Sequence, residues 1–246
     1  IDGTVTSPKG FTAQGVCASI KPSNTAKRDL AMIYCEKPCT AAAVFTKNLV
    51  KSSTIEVTQK HLANGIAQAV IANSGNANTC NANGIEIAEK MSELTARELG
   101  ISANDVVVAS TGVIGQPLDI APIESGMHEL VSGLGDNSKL AAEGIMTTDT
   151  VKKEIAVSFE VGGKECRIGG IAKGSGMIHP NMATMLVFIT TDCAISTPML
   201  QKALSGDIQN TFNMVSVDGD TSTNDMVTIL ANGMAGNSEI ACEGDD

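Results

Sequence analysis

Short apolar runs alternate with amphipathic stretches along these 246 residues, a pattern that predicts a mixed α/β fold. The runs that read as strands are 30–35, 42–46, 67–72, 106–110, 154–161, 185–190 and 226–231. In 154–161 the alternation is clean: Ile155, Val157, Phe159 and Val161 share one face, and Glu154, Ser158 and Glu160 the other. Helices are expected at 84–99 and 119–134. In the second, Ile120, Ile123, Met127, Leu130, Val131 and Leu134 recur at steps of three and four and make one buried stripe. Asp119 supplies a capping carboxylate, with Gly133 and Gly135 at the exit. A third helix is expected over 197–212, with Pro198 in its first turn. The longest apolar run, 185–189, is far short of the roughly 20 residues needed to span a bilayer.

Polar, glycine-rich connectors separate these elements at 72–83, 111–117, 174–183 and 218–225. Loops of this kind on a rigid scaffold usually carry the chemistry. Composition narrows the partners. The chain has 24 Gly, five Phe, one Tyr and no Trp, so its core is built from Ala, Val, Ile, Leu and Met. At 43% hydrophobic and 18% charged it is an ordinary globular sequence, long enough for one large domain or two closely packed lobes. A net charge of −10 with so few aromatic rings excludes nucleic acid as a main partner. Seven scattered Cys without a Cys-x-x-Cys pair, and only three His, argue against a disulfide framework or a metal site. The thiols are expected to be small buried residues. The N-terminus has no basic-then-apolar leader, and a cytoplasmic protein is expected.

Several familiar sites are absent. The chain has no Gly-x-Ser-x-Gly elbow, no Gly-x-x-x-x-Gly-Lys-Ser/Thr loop and no Gly-x-Gly-x-x-Gly. Asp218, Asp220, Ser222 and Asn224 match the first calcium-loop positions, but Thr223 stands where Gly is needed and Ile229 where Glu is needed. What remains is Thr184, the first residue of an apolar strand after a glycine-rich loop. It reads either as a packing β-branched residue or as a nucleophile released by cutting the peptide bond before it. In the second case one residue supplies both a hydroxyl and an α-amine base. Thr111-Gly112, at the end of the 106–110 strand, reads either as a strand-ending turn or as a hydroxyl and backbone N–H that stabilise an oxyanion.

Four stretches decide between these readings. They are Thr111-Gly112-Val113-Ile114-Gly115, Thr148-Asp149-Thr150, the run from Lys173 through Ala183-Thr184 to Leu186, and the run from Ser216 to Asp225. Together with the opening 3–11 they resemble the ornithine acetyltransferase (glutamate N-acetyltransferase) family of arginine biosynthesis, in order and along essentially the whole chain. The resemblance implies an αββα-type sandwich of mixed sheets. It implies a precursor that cuts itself between Ala183 and Thr184, giving an α segment, 1–183, and the start of a β chain, 184–246. Thr184 would then be the nucleophile, Thr111 and Gly112 the oxyanion hole, and Thr150, Lys173 and Thr184 substrate contacts. Acetylornithine and glutamate would be the substrates, with acetyl-CoA open as a second donor. No metal or cofactor is implied, and the α and β chains would assemble as an α2β2 heterotetramer. A related N-terminal-nucleophile amidohydrolase or aminopeptidase, and an inactive fragment of the transferase, are the alternatives. The family's β chain runs further than Asp246, so apolar surface around 226–231 is expected to lie uncovered.

Overall fold

A strand of 16 residues, β2 (Leu30–Phe45), organises the fold. The computed structural model describes residues 3–177 and 185–244. β2 pairs antiparallel with β1 (Phe11–Val16) and β3 (Ile66–Asn73), and its register against β3 shifts between Tyr34 and Cys39. Such a bulge bends and twists a strand. Beyond it, Cys39 and Thr40 still pair with β3, and Thr40–Phe45 pairs along the other edge with β8 (Met226–Ala231). The hydrogen-bonded order is β4-β3-β2-β8-β7-β6-β5, with β1 on β2. The remaining strands are β4 (Val106–Ser110), β5 (Lys153–Val161), β6 (Lys164–Lys173) and β7 (Leu186–Thr191). β3 and β4 run parallel, as do β7 and β8.

The two limbs of this one mixed sheet share a core. Ala31, Ile33, Val70, Ala72, Val107 and Ala109 come from one limb; Ile171, Leu186, Phe188, Met226 and Leu230 come from the other. The many alanines let the limbs approach closely, which fits a chain poor in aromatic rings. Phe188 is the large exception at 1% exposure, and truncating such a residue to Ala typically costs about 3–5 kcal/mol. Each limb buries its other face under helices. α2 (Gly84–Leu99) and α3 (Ala121–Ser132) place Met91, Leu94, Ile123, Met127 and Leu130 against Met32, Ile71, Val106 and Val108. α5 (Thr197–Asp207) places Leu200 and Leu204 against Ala42, Val44, Val187 and Val227. The layers are therefore helix, sheet, sheet, helix. β4 is buried on both faces, which is why it reads as an unbroken apolar run. Its outer edge is closed by α1 (Ser53–His61): the Thr58 hydroxyl donates to Val108 O and accepts from Val108 N, and His61 Nδ1 bonds Val106 O.

Several expectations change. The runs 30–35 and 42–46 belong to one strand, because the chain stays extended through the exposed Glu36-Lys37-Pro38 at the bulge. The helix read as 119–134 is Ala121–Ser132, with Asp119 Oδ1 still accepting Ala121 N at 3.0 Å. The helix read as 197–212 stops at Asp207. β1, β6, α1 and α4 (Ser138–Gly144) were not expected. Strand 226–231 is central and buried rather than uncovered. Exposed apolar side chains lie elsewhere, among them Ile155 and Val157 of edge strand β5, 68% and 45% exposed, and Met214 and Val217. Four cysteines are buried, but Cys80 and Cys242 are exposed. Among the described residues no helix is long and apolar enough to cross a membrane, and no His/Cys/Asp/Glu cluster could hold a metal ion. β7 and β8, from the segment after Thr184, lie inside the sheet between β6 and β2, contributed by the segment before it.

Candidate active site

Buried amides, rather than apolar packing, set the geometry at the end of β4. Asn224, just before β8, donates from Nδ2 to Ala77 O and Ser110 O, both at 2.7 Å. Its Oδ1 accepts from Thr79 Oγ1 at 3.0 Å and Thr223 Oγ1 at 2.5 Å. Ser110 Oγ donates to Asn73 Oδ1 at 2.6 Å, and Thr111 N donates to Asn73 O at 2.9 Å. A buried network with every member satisfied rigidifies what it touches. Here it ties the loops after β3 and β4 to the segment before β8, and Thr111 is fixed among them. Gly112 follows at φ +134°, and a Cβ there would stand 2.3 Å from the Gly75 carbonyl carbon. Only glycine fits on both counts.

Lys173, the last residue of β6, reaches this turn from the other limb. Its Nζ donates to Thr111 Oγ1 at 3.0 Å. Burial pulls the Lys173 ammonium below the usual lysine range, opposed by the charges of Asp149 and Asp225. Asp149 is buried, which pushes its carboxyl upward. Hydrogen bonds from Lys153 Nζ (2.6 Å) and Gly174 N (2.8 Å) outweigh this and hold it below the ordinary Asp range. Asp225 is the reverse case: burial pushes its carboxyl up to about 8, against the pull of Ser222 and Lys173.

Thr111, Gly112, Lys173 and Asn224 open onto a cleft of about 690 Å³, and Asp149 and Asp225 lie behind its wall. Its walls include Thr111, Gly112, Val113, Lys173, Met177 and Asn224, and on the far side Lys21, Lys27, Met146, Thr147 and Thr148. Lys27 Nζ donates to Met146 O and Thr147 O, at 2.8 and 2.9 Å, and so shapes that wall. The Thr111 hydroxyl accepts from a cation, so its own proton is left to donate, and the cation polarises it. A fixed donor of this kind suits a developing negative charge.

The structure thus brings Thr111, Gly112 and Lys173 together on one cleft. Thr150 is exposed and does not line it, whereas Thr147 and Thr148 do. Ala183 and Thr184 lie outside the described residues. The chain enters that segment from Met177, a lining residue, and leaves it at Met185, whose carbonyl accepts Met226 N at 3.1 Å. Sequence reasoning assigned no role to Asp149, Asn224 or Asp225. The density of Asn, Asp, Ser and Thr in 216–225 was the available signal, since so many polar residues beside an apolar strand must be paired among themselves.

The arginine biosynthesis bifunctional protein ArgJ of Symbiobacterium thermophilum is 50% identical over 240 residues, covering 97% of this chain and 60% of that protein. Its counterpart ArgJ 1 of Clostridium acetobutylicum is 50% identical over 238 residues, covering 96% and 58%. The chain therefore spans about three-fifths of the length of these curated relatives. Among solved structures, the bifunctional protein ArgJ of Bacillus halodurans matches with a TM-score of 0.70 and 41% identity, over 74% of this chain and 95% of that one. The ornithine acetyltransferase of Mycobacterium tuberculosis, solved with ornithine, matches with a TM-score of 0.64 and 35% identity, over 72% and 95%. An L-aminopeptidase D-Ala-esterase/amidase of Ochrobactrum anthropi, 14% identical with a TM-score of 0.57 over 93% of this chain and 73% of that one, shares the fold. The ArgJ family model matches residues 12–244, and the chain belongs to that family.

Proposed function

We propose that this protein transfers an acetyl group from N2-acetylornithine to glutamate in arginine biosynthesis, after cutting its own chain between Ala183 and Thr184. The observation that carries this reading is the Lys173–Thr111 contact beside Gly112, on a cleft that the chain reaches just before the junction. Thr184 Oγ attacks the Ala183 carbonyl, the amide shifts to an ester, and water hydrolyses the ester to free the Thr184 α-amine. That amine, with an ordinary pKa of about 7.7–8.0, then serves as base at neutral pH. Thr184 Oγ attacks the acetyl carbonyl, Thr111 and Gly112 hold the developing oxyanion, and ornithine leaves with a proton. The glutamate amine attacks the acetyl-threonine ester, giving N-acetylglutamate and restoring the hydroxyl. Lys173 and Thr184 are assigned to the substrates; Thr150, which the family resemblance assigns as well, lies beside Thr148 but outside the cleft's lining. Acetyl-CoA fits the same chemistry as a second donor.

Two further observations support the reading. Residues 1–183 are 74% of this chain, and the solved Bacillus halodurans chain matches 74% of it while being 95% covered itself, the shares expected of a separate α chain. The ornithine bound to the Mycobacterium tuberculosis relative is the leaving product of the proposed first transfer. The two segments interleave in the sheet, so the α and β chains remain one body after the cut, and two such bodies would form the α2β2 assembly. The purified protein should run as bands of about 19 and 6 kDa, by share of its 25.3 kDa. Thr184→Ala should remain whole. Equal cleavage in Thr184→Ala overturns the nucleophile. Release of free acetate from acetylornithine without acetylation of glutamate would make the protein an amidohydrolase instead.

A further inference from the structure

The lining of the cleft is positive in a chain whose net charge is −10. Among the described residues its ionisable side chains are Lys21, Lys27, Lys173 and Asp29. Asp29 is buried, and its carboxylate is used up within the fold. It accepts Ala18 N at 2.7 Å, Ile20 N at 2.8 Å and Asn24 Nδ2 at 2.7 Å. Those bonds fix the loop that carries Lys21 and Lys27. Neither lysine forms an ion pair with a described residue. Lys27 is the more firmly held of the two. Its Nζ donates to Met146 O and Thr147 O, at 2.8 and 2.9 Å, and both of those residues line the cleft. An ammonium has three N–H donors, so one is left over, at a place set by two backbone carbonyls. A fixed cation with a donor to spare and no carboxylate paired to it suits a ligand carboxylate.

We propose that Lys27 selects the acceptor of the acetyl group by binding the side-chain carboxylate of glutamate. This deepens the acetyl-transfer reading and rests on it. In both proposed substrates the reacting nitrogen sits on the same carbon as the α-carboxylate, and the side-chain terminus lies a short carbon chain away. Lys173, bonded to Thr111 Oγ1, stands at the reacting end. Lys27 stands at the wall made by Met146 and Thr147. There glutamate presents a carboxylate and acetylornithine an ammonium. The Lys27 charge attracts the first and repels the second, so it favours the exchange of ornithine for glutamate.

Lys27→Gln keeps a donor for the carbonyls and removes the charge, whereas Lys27→Arg keeps the charge. Calorimetric titration with L-glutamate, L-glutamine and L-ornithine, without an acetyl donor, reads binding apart from turnover. The wild type should bind glutamate about tenfold or more tightly than glutamine. In Lys27→Gln the two should bind within about twofold of each other, ornithine should bind no more weakly than before, and Lys27→Arg should restore the preference. A purely structural Lys27 would weaken all three ligands alike and leave the glutamate-to-glutamine ratio where it was. That unchanged ratio in a folded Lys27→Gln protein overturns the proposal, as does a wild type without the preference. Displacement of glutamate by an equal concentration of inorganic phosphate would mark a phosphate site and overturn it too. A wild type that shows the preference yet acetylates no glutamate overturns the transfer reading alone. Should Lys27→Gln fail to fold, NMR of the wild type grown on carbon-labelled lysine gives a second measurement, with the Lys27 signal assigned by its loss in Lys27→Arg. That signal should move with glutamate and not with glutamine, and an unmoved signal overturns the proposal.

Discussion

Lys173 Nζ donates to Thr111 Oγ1 at 3.0 Å across 62 residues of sequence. The contact joins the two limbs of the sheet, since Lys173 ends β6 and Thr111 follows β4. Neither residue is reactive alone. Together they make a polarised hydroxyl at a fixed place beside a cleft, held by a backbone that the Asn73 and Asn224 amides leave little room to move.

Replacing Thr111 by Val removes the hydroxyl and keeps the branching and volume. Acetyl transfer should slow by roughly 10²-fold or more, as when one oxyanion donor is deleted elsewhere. Thermal unfolding should change little, because the backbone bond from Thr111 N to Asn73 O survives. Steady-state kinetics with acetylornithine and glutamate check this, and wild-type turnover would return Thr111 to the role of a strand end.

Lys173→Met tests the other partner. A long apolar side chain can lie along the same path, so the fold should persist while the cation is lost. The expectation is a raised KM for acetylornithine, with kcat also lowered if Thr111 loses polarisation. Unaltered constants for both substrates would show that Lys173 touches neither substrate nor donor.

Asn224→Ala should act through stability first. It leaves Ala77 O, Ser110 O, Thr79 Oγ1 and Thr223 Oγ1 without the partner they share in a buried site. Each unsatisfied buried group costs about 1–3 kcal/mol, and several of these will rearrange to find new partners. A loss of about 2–4 kcal/mol in denaturant unfolding is expected, larger than for most surface substitutions. A loss under about 0.5 kcal/mol would mean that the network does not hold the site.

These residues also show what the sequence could and could not reveal. β4 was legible because burial on both faces leaves an unbroken apolar run. β2 was not legible as one strand, since Glu36-Lys37-Pro38 breaks the pattern at the bulge. β6 was hidden by its charges and by Gly169, where a Cβ would meet Thr4 O at 1.9 Å, a constraint imposed by a distant segment. α1 is rich in β-branched residues and follows no strong stripe; its Ser52 cap and its duty of closing the β4 edge support it instead. In the site, Thr111, Gly112 and Lys173 stand in motifs and could be named. Asp149 and Asn224 also reach partners far along the chain, Gly174 at 25 residues and Ala77 at 147, and no local pattern encodes those contacts.

Asp149 predicts a pH response. Its folded pKa lies below the unfolded value of about 3.9, so the folded state favours its charged form. The stability this contributes is fully present above about pH 4 and is lost as pH falls through the lower folded value. Asp149→Asn should therefore lower the unfolding temperature at pH 7 and flatten its decline below about pH 4. Thermal scans over pH 3–7 check both. A variant that declines as steeply in acid as the wild type would place the acid-sensitive group elsewhere.

The interleaving of the sheet leads to the last expectation, the fate of the two segments after the proposed cut. β7 belongs to the segment after Ala183 but pairs with β6 through Ile168–Lys173 against Leu186–Thr191. β8 belongs to the same segment and pairs with β2 through Thr40–Phe45. Leu186, Phe188, Met226 and Leu230 lie in the core shared with β1–β4, and Leu200 and Leu204 cover the outer face of β2 and β8. Each of these large side chains stabilises by about 1.5–3 kcal/mol on burial, so separating the segments would expose far more than a single cut releases. The cleaved protein should elute from a sizing column under native conditions as one species holding both chains, and divide only in denaturant. Native loss of the 184–246 chain would show that the sheet contacts are too weak to hold a cleaved enzyme together, and a site shared by both chains could not then be its active form.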